Sequence, residues 1–133
     1  MSDPSPIPSD LLDRIAKEEY CYLTTIGRVT GNPHEIEIWF GFNDRTLYLL
    51  SEARDKSDWG KNLLKNPSVK VRVAKKHFHA TARLVTDQQE EMMARRMLAG
   101  KYQQWRVGQK FSQWARTALV VGIDLEPLTN KKG

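Results

Sequence analysis

Residues 24–40 read TTIGRVTGNPHEIEIWF, and this stretch decides the fold that we expect. It reads as a β-strand, a tight turn and a second β-strand. Over Glu35–Phe40 apolar and polar residues alternate strictly, which is typical of a strand with one buried and one polar face. The residues on the apolar face are Ile36, Ile38 and Phe40. The stretch therefore predicts a β-hairpin whose second strand covers a core.

The turn between these two strands contains Gly27, Arg28 and Gly31. Glycine lets backbone N–H groups approach a ligand closely, and the planar fork of an arginine matches a phosphate group with two hydrogen bonds. The turn therefore indicates a docking site for a phosphate-bearing ligand. Because short glycine motifs are common, an ordinary hairpin with a solvated arginine stays open as the alternative.

Length and composition indicate one globular domain. The chain has 133 residues, of which 40% are hydrophobic and 28% charged, and this suffices for a domain with its own core. We expect a loose arm at residues 1–8, one domain at 9–127 and a tail at 128–133. No apolar run reaches the roughly 18 residues of a membrane span, and Met1–Pro8 lacks the pattern of a signal peptide. The single cysteine, Cys21, excludes an internal disulfide and points to the reducing cytoplasm.

The balance of charge favours an anionic partner. The formal net charge is +5 and the sequence pI is about 9.4. A phosphorylated cofactor, a nucleic acid or a membrane surface would each suit this excess, and so would a simple role in solubility. The lysines and arginines of residues 61–116 are spread out and do not form one run, which argues against a nucleic-acid partner.

Period-two alternation along the chain predicts six strands, whereas residues 41–45 read as a turn. Helices inserted between such strands predict an α+β protein that is mainly β. The expected architecture is a six-stranded antiparallel barrel with helical additions. The residues that we expect inside it are Ile36, Ile38, Phe40, Val69, Val71, Val73, Phe78, Ala80, Ala82 and Leu119.

Capping patterns predict two main helices. Ser9 is placed to cap a helix over Asp10–Glu18, since serine side chains accept hydrogen bonds from the first helical N–H groups. Thr86 is placed in the same way before a helix over Asp87–Ala99, and Gly100 is suited to end it. A shorter helix is expected before the Asn-Pro pair at residues 66–67.

Two segments resemble the motifs of a known family. Residues 25–34, TIGRVTGNPH, resemble the glycine-arginine hairpin of the deazaflavin (F420)-dependent nitroreductase family. Residues 58–69, DWGKNLLKNPSV, resemble a second segment of that family, and the strand Trp114–Ile123 is similar to its closing strand. The resemblance implies the split β-barrel flavin-binding fold of the pyridoxamine-phosphate oxidase type.

The resemblance also implies a cofactor, either F420 or FMN, that lies between the barrel and a partner chain in a homodimer. The hairpin would hold the phosphate and the acidic tail, and the loop Ser51–Ser57 would contribute further contacts. The residues implied as cofactor-binding are Arg28, Thr30, Gly31, Pro33, His34, Ser51, Arg54, Lys56 and Ser57. The chain has Val29 where a second base is common and His34 where arginine is common. We therefore expect Arg54 and Lys56 to supply part of the missing charge.

Several aromatic and histidine side chains admit two interpretations. Trp39 lies on the polar face of its strand and is expected to stack on a flat cofactor ring, with an interface or core position as the alternative. Tyr102 and Trp105 correspond to substrate-side aromatics of the family, with core packing as the alternative. His77 and His79 share a strand face, but the sequence shows no nearby third ligand, so we expect no metal site.

The function that the resemblance implies is that of a cofactor-dependent oxidoreductase, and the single cysteine favours a cytoplasmic location. It would transfer hydride between reduced F420 and a small organic acceptor such as a quinone or a nitro compound. Because the cofactor carries this chemistry, we expect binding residues and no catalytic side chain. An FMN-binding oxidoreductase of the same fold, a non-catalytic flavin- or heme-binding protein and a basic nucleic-acid-binding barrel stay open as alternatives.

Overall fold

The computed structural model describes residues 7–27, 29–51, 62–63 and 65–126. The strands are β1 (Cys21–Ile26), β2 (Pro33–Ile38), β3 (Gly41–Asn43), β4 (Thr46–Ser51), β5 (Ser68–Val73), β6 (Lys76–Leu84) and β7 (Leu119–Leu125). The helices are α1 (Ser9–Lys17), α2 (Gln88–Gln103) and α3 (Gln113–Thr117), and residues 62, 63 and 65 are also helical.

All seven strands belong to one antiparallel sheet in the order β2-β1-β5-β6-β7-β4-β3. The two edge strands, β2 and β3, follow one another in the chain and are separated only by Trp39 and Phe40. The sheet must therefore curve round until its edges meet at this connection, which gives a split barrel. The fold class that we expected is confirmed, with one strand more than predicted.

The additional strand is β3. Its residues, Gly41–Asn43, lie in the segment that reads as a turn, because glycine and asparagine are depleted in strands. The tertiary environment overrides this preference, since Phe42 pairs with Leu47 across the β3–β4 ladder. Only Asp44 and Arg45 form the turn, and Asp44 adopts a φ of 61° there.

The core lies where period-two alternation places it. Of the predicted interior residues, those that are buried are Phe40, Val69, Val71, Val73, Phe78, Ala80 and Ala82. Ile36 and Ile38 are half-buried and pack against this cluster. Leu119 is also only half-buried, because it is the first residue of β7 and lines a surface groove with Leu63 and Leu84.

The helix ends differ from the predicted ones. Helix α1 begins at Ser9 after Pro8, without a side-chain cap. In α2 the cap is Asp87 and not Thr86: its carboxylate accepts a hydrogen bond from the N–H group of Glu90 at 2.8 Å. The helix continues past Gly100 and ends where Gln104 adopts the left-handed conformation. Within the described residues, no helix is long and apolar enough to cross a membrane.

Candidate functional site

The turn between β1 and β2 is closed by its own backbone. The N–H group of Gly27 donates to the carbonyl of Asn32 at 2.8 Å, and the N–H group of Gly31 donates to the carbonyl of Gly27 at 2.9 Å. Gly31 has a φ of +78°, a conformation that favours glycine. The hydroxyl of Thr30 accepts a hydrogen bond from the N–H group of Asn32 at 3.2 Å. The predicted site residue Arg28 lies outside the described residues.

Gly27 is the point of closest approach in this turn. A Cβ atom placed on Gly27 would lie 3.0 Å from Nε2 of His34, 3.1 Å from Oγ1 of Thr30 and 3.2 Å from the carbonyl oxygen of Asn32. The backbone at Gly27 therefore lies directly against the imidazole of His34 and the hydroxyl of Thr30. The structure thus brings two of the predicted site residues together at one glycine.

A cleft of about 690 Å³ opens beside the turn. Its lining includes three of the predicted site residues, Thr30, Pro33 and His34, while Gly31 shapes the turn itself. Gly27, which the sequence placed in the ligand-docking turn, also lines the cleft. The remaining lining residues, which sequence reasoning did not assign to the site, are Thr25, Val29, Asn32, Glu35, Ile36 and Asn62.

The floor of the cleft joins β1 to the helical segment that contains Asn62. Thr25 is 1% exposed, and its hydroxyl accepts a hydrogen bond from the amide of Asn62 at 3.3 Å. Asn62 belongs to the second segment that carries the family resemblance, so the sequence did contain a signal for it. The hydrogen bond shows how the two resembling segments meet at one place in the fold.

Among the described lining residues, Glu35 carries the one carboxylate, and its charge is partly offset. Its Oε1 atom lies 3.5 Å from Nη2 of Arg72. The guanidinium group of Arg72 lies over the ring of Tyr22, 4.0 Å from its centroid. The Tyr22 hydroxyl in turn donates to the carboxylate of Glu37 at 2.7 Å, and this hydrogen bond raises the pKa of Tyr22.

Two of the three predicted aromatic residues, Trp39 and Tyr102, pack on each other, and neither is among the described lining residues of the cleft. The rings of Trp39 and Tyr102 are stacked with centroids 4.4 Å apart, and Trp114 meets Trp39 edge-on at 5.5 Å. Trp105 lies in the loop after α2, where its ring centroid is 5.0 Å from that of Phe111. The structure therefore brings Trp39 and Tyr102 together. Sequence reasoning did not place Trp114 beside them.

The hydroxyl of Tyr102 is held by backbone groups. It accepts a hydrogen bond from the N–H group of Phe40 at 3.0 Å and donates to the carbonyl of Glu19 at 2.7 Å. Burial raises the pKa of Tyr102 to about 12. Beside it, the ammonium group of Lys101 donates to the carbonyl of Glu18 at 2.7 Å, and burial lowers the pKa of Lys101. The two side chains thus hold the segment before β1, and Tyr102 also holds the residue Phe40 after β2.

The remaining predicted residues are placed as follows. Ser51 is fully buried at the end of β4, opposite Leu119. Arg54, Lys56 and Ser57 lie outside the described residues. His77 and His79 are exposed on β6, and within the part of the chain that the structure describes no group of three or more His, Cys, Asp or Glu side chains is arranged to hold a metal ion.

Comparison with protein families identifies the family to which the chain belongs. The model of the F420H(2)-dependent quinone reductase family matches residues 9–123, so the chain belongs to that family. Among curated proteins, none matches the sequence.

Solved structures with similar folds agree with the split barrel. One is a conserved hypothetical protein from Mycobacterium tuberculosis, at 18% identity and a TM-score of 0.70, with 94% of this chain and 84% of that chain covered. Another is a candidate pyridoxamine 5′-phosphate oxidase from Listeria innocua, at 19% identity and a TM-score of 0.67, with 89% and 92% covered. A third is an F420 reductase, at 14% identity and a TM-score of 0.61, with 90% and 96% covered.

Proposed function

We propose that this member of the F420H(2)-dependent quinone reductase family transfers hydride between reduced F420 and a small organic acceptor such as a quinone or a nitro compound. The observation that carries the proposal is the cleft beside the β1–β2 turn. It lies between the two sequence segments that carry the family resemblance, and the family match spans both of them.

The cleft suits a cofactor with a phosphate group. Its volume of about 690 Å³ lies within the roughly 300–1,000 Å³ typical of ligand sites. The turn brings the Thr30 hydroxyl and the His34 imidazole together against Gly27, where a side chain would fill the space. Such polar groups can donate to phosphate oxygens, and the Arg72 guanidinium partly offsets the charge of the Glu35 carboxylate.

In this proposal the cofactor supplies the chemistry, and the residues of the protein bind and orient it. Bound F420 would supply the hydride, and the protein would bind and orient it and exclude water. Thr30 and His34 would hold the anionic part of the cofactor, with Arg28, Arg54, Lys56 and Ser57 adding charge and donors. Trp39, Tyr102 and Trp105 stay proposed contacts for the ring or the acceptor. Tyr102 is unsuited to donate a proton, because its hydroxyl is bound to backbone groups and its pKa is raised to about 12.

FMN is the second candidate cofactor. The donors that suit the phosphate group of F420 suit the phosphate group of FMN equally well, so the described cleft does not separate the two by chemistry. The non-catalytic alternative is a cytoplasmic protein that binds a flavin or a heme without turnover.

We also propose a homodimer. β2 lies at the edge of the sheet and pairs only with β1 among the described strands, and Trp39 at its end is 36% exposed. Light scattering at high micromolar concentration with cofactor present is expected to give twice the mass of the chain. A monomer mass under these conditions contradicts the dimer.

The test of the proposed function is a fluorescence titration of one protein sample with F420 and with FMN. We expect saturable binding of F420 that is tighter than that of FMN. His34→Ala is expected to weaken F420 binding about fivefold, the effect of losing roughly one hydrogen bond. The matched control is His79→Ala, an exposed histidine on β6, which is expected to bind like the wild type. Tighter binding of FMN supports the second candidate, and binding of neither cofactor overturns both.

A further inference from the structure

Two buried polar side chains meet at the floor of the cleft. They are Thr25 and Asn62, and the hydroxyl of the first accepts a hydrogen bond from the amide of the second. Thr25 lies on the inward face of β1 together with Cys21 and Leu23, because every second residue of this strand is buried. An apolar side chain at position 25 would continue the core, so packing alone does not account for the hydroxyl.

Stability does not account for this hydroxyl either. The amide nitrogen of Asn62 lies 3.3 Å from the hydroxyl oxygen of Thr25, slightly beyond the roughly 2.7–3.2 Å that is usual for such bonds. Both groups are withdrawn from water, and a long hydrogen bond recovers only part of the hydration that they lose. Replacing two such partners by apolar groups of the same shape is often neutral. We therefore look for the role of the pair at the cleft.

The pair connects the two walls of the cleft. On one side, Thr25 lies opposite His34 in the β1–β2 ladder, two residues before Gly27. On the other side, the carbonyl of Asn62 accepts from the N–H group of Asn66 at 2.8 Å, which closes a helical turn. Thr25 and Asn62 both line the cleft. Thr25 thus lies beside His34, to which the proposed function assigns the anionic part of the cofactor.

The hydrogen bond from Asn62 also orients the hydroxyl of Thr25. A threonine hydroxyl has one hydrogen to donate and two lone pairs that accept. Because its oxygen accepts from the Asn62 amide, the hydroxyl hydrogen must point away from that amide. Among the residues that the structure describes, no group accepts this hydrogen. A molecule in the cleft that Thr25 lines can therefore supply the acceptor.

We propose that Thr25 is a further cofactor-binding residue and that Asn62 is its positioning residue. The hydroxyl of Thr25 donates to an oxygen of the anionic part of the cofactor, beside the donors of Thr30 and His34. Asn62 acts through Thr25, because its amide holds the hydroxyl in the direction of the cleft. The inference rests on the proposed function and adds to it an uncharged donor in the interior, where hydrogen bonds to a charged acceptor are strong.

Fluorescence titration of the full-length protein with F420, or with FMN if the wild type binds it more tightly, tests the proposal. Thr25→Val removes the hydroxyl and keeps the branched side chain. We expect it to weaken binding about tenfold or more, the effect of losing a hydrogen bond to a charged group. Thr25→Ser keeps the hydroxyl and is expected to bind nearly as tightly as the wild type. The matched control is Thr24→Val, on the opposite face of β1, which is expected to bind like the wild type.

A double-mutant cycle separates positioning from direct contact. Asn62→Leu removes the amide and keeps a side chain of similar size. We expect it to weaken binding on the order of threefold, as is typical of coupling between residues in contact. In the Thr25→Val background the same change is expected to have no further effect, because no hydroxyl is left to orient. Losses that multiply in the double variant overturn the positioning role, because they indicate that Asn62 binds the cofactor itself.

The outcomes distinguish this inference from the proposed function. If the wild type binds neither cofactor, both fail together. If the wild type binds and Thr25→Val binds equally well, only the inference fails. It also fails if Thr25→Ser loses as much affinity as Thr25→Val, because the side chain then acts by packing. Circular dichroism identifies the folded variants, and titration well below their melting temperatures separates affinity from stability. If Thr25→Val does not fold, the comparison of Thr25→Ala with Thr25→Ser decides in the same way.

Discussion

The indole ring of Trp39 lies parallel to the phenol ring of Tyr102, with an interplanar angle of 6° and centroids 4.4 Å apart. Trp39 follows the edge strand β2, and Tyr102 lies in the last turn of α2. The hydroxyl of the same tyrosine binds the backbone of Phe40 and Glu19. One side chain thus links α2 to the place where the two edges of the sheet meet.

Tyr102→Phe removes this hydroxyl and keeps the stacked ring. The N–H group of Phe40 then loses its hydrogen-bond partner, which costs about 1–3 kcal/mol for a group withdrawn from water. We expect urea denaturation to show a lower free energy of unfolding by this amount. Tyr20→Phe, a change at an exposed tyrosine just before β1, is the control and is expected to have little effect. Equal stability of Tyr102→Phe and the wild type contradicts the structural role of the hydroxyl.

The sequence predicted the elements that follow from local patterns. The burial of Val69, Val71 and Val73 could be predicted, because the alternation of side chains along a strand depends only on neighbouring residues. The pairing of Trp39 with Tyr102 depends on how α2 packs on the sheet, and no local pattern contains that information. Strand β3 was missed because it is only three residues long and has the composition of a turn.

The candidate site was also predicted only in part, because some of its residues are neighbours in the sequence and others come from distant segments. The turn residues Thr30 and His34 come together because they are close in sequence across a hairpin. Asn62 reaches Thr25 from a distant segment, and only the family resemblance of that segment pointed to it. The alternation pattern predicted only that Glu35 lies on the polar face of β2. That it also lines the cleft depends on the three-dimensional arrangement of β2 and the turn.

Gly100→Ala is expected to stabilise the protein. Gly100 lies within α2 and not at its end, and a Cβ atom there would lie 3.7 Å from its nearest neighbour, the carbonyl oxygen of Trp105, which is ordinary contact. Alanine in a helix interior is favoured over glycine by about 0.8–1 kcal/mol. Thermal unfolding is expected to show a higher melting temperature. A lower value indicates that α2 does not continue through this position.

Gly27→Ala and Gly31→Ala are expected to differ in their effect on the cleft. A Cβ atom on Gly27 would lie 3.0 Å from Nε2 of His34 and 3.1 Å from Oγ1 of Thr30, so we expect Gly27→Ala to displace these side chains and to weaken cofactor binding. A Cβ atom on Gly31 meets no neighbour within 4 Å, but the φ of +78° strains an alanine by roughly 1–2 kcal/mol. We expect Gly31→Ala to lower mainly the free energy of unfolding. Equal loss of cofactor affinity in both variants contradicts the proposed role of Gly27.

The ion pairs at Arg83 predict a pH dependence of stability. The guanidinium binds the carboxylate of Glu90 at 2.7 Å and that of Asp124 at 2.7 Å, and the Tyr48 hydroxyl donates to Glu90 at 2.6 Å. The bonds from Arg83 and Tyr48 lower the pKa of Glu90 to about 2. A lowered pKa in the folded state stabilises the protein above the pKa of the unfolded state, and this stability is lost as pH falls toward 2.

Glu90→Gln tests this dependence by chemical denaturation between pH 7 and pH 2. At neutral pH the variant is expected to be less stable than the wild type by on the order of 1–2 kcal/mol, a value reduced for the partial exposure of the pair. The difference is expected to shrink as pH falls from about 5 toward 2. Asp13→Asn, an exposed carboxylate of α1, is the control and is expected to follow the wild type. A difference that stays constant with pH would falsify the assignment to Glu90.

Glu35→Gln is expected to tighten the binding of an anionic cofactor. The carboxylate of Glu35 lines the cleft, where it would repel the phosphate group of a bound cofactor, and its Oε1 atom lies 3.5 Å from Nη2 of Arg72. Removal of this charge frees the guanidinium, so we expect about two- to fivefold tighter binding of F420 at low salt, as is typical of an exposed charge pair. The gain is expected to decline as salt concentration rises, because salt screens exposed charges. Glu37→Gln, on the same face of β2 but outside the cleft lining, is the matched control and is expected to leave the affinity unchanged. If Glu35→Gln weakens binding, or if both variants tighten it equally, the anionic group of the cofactor does not lie in this cleft.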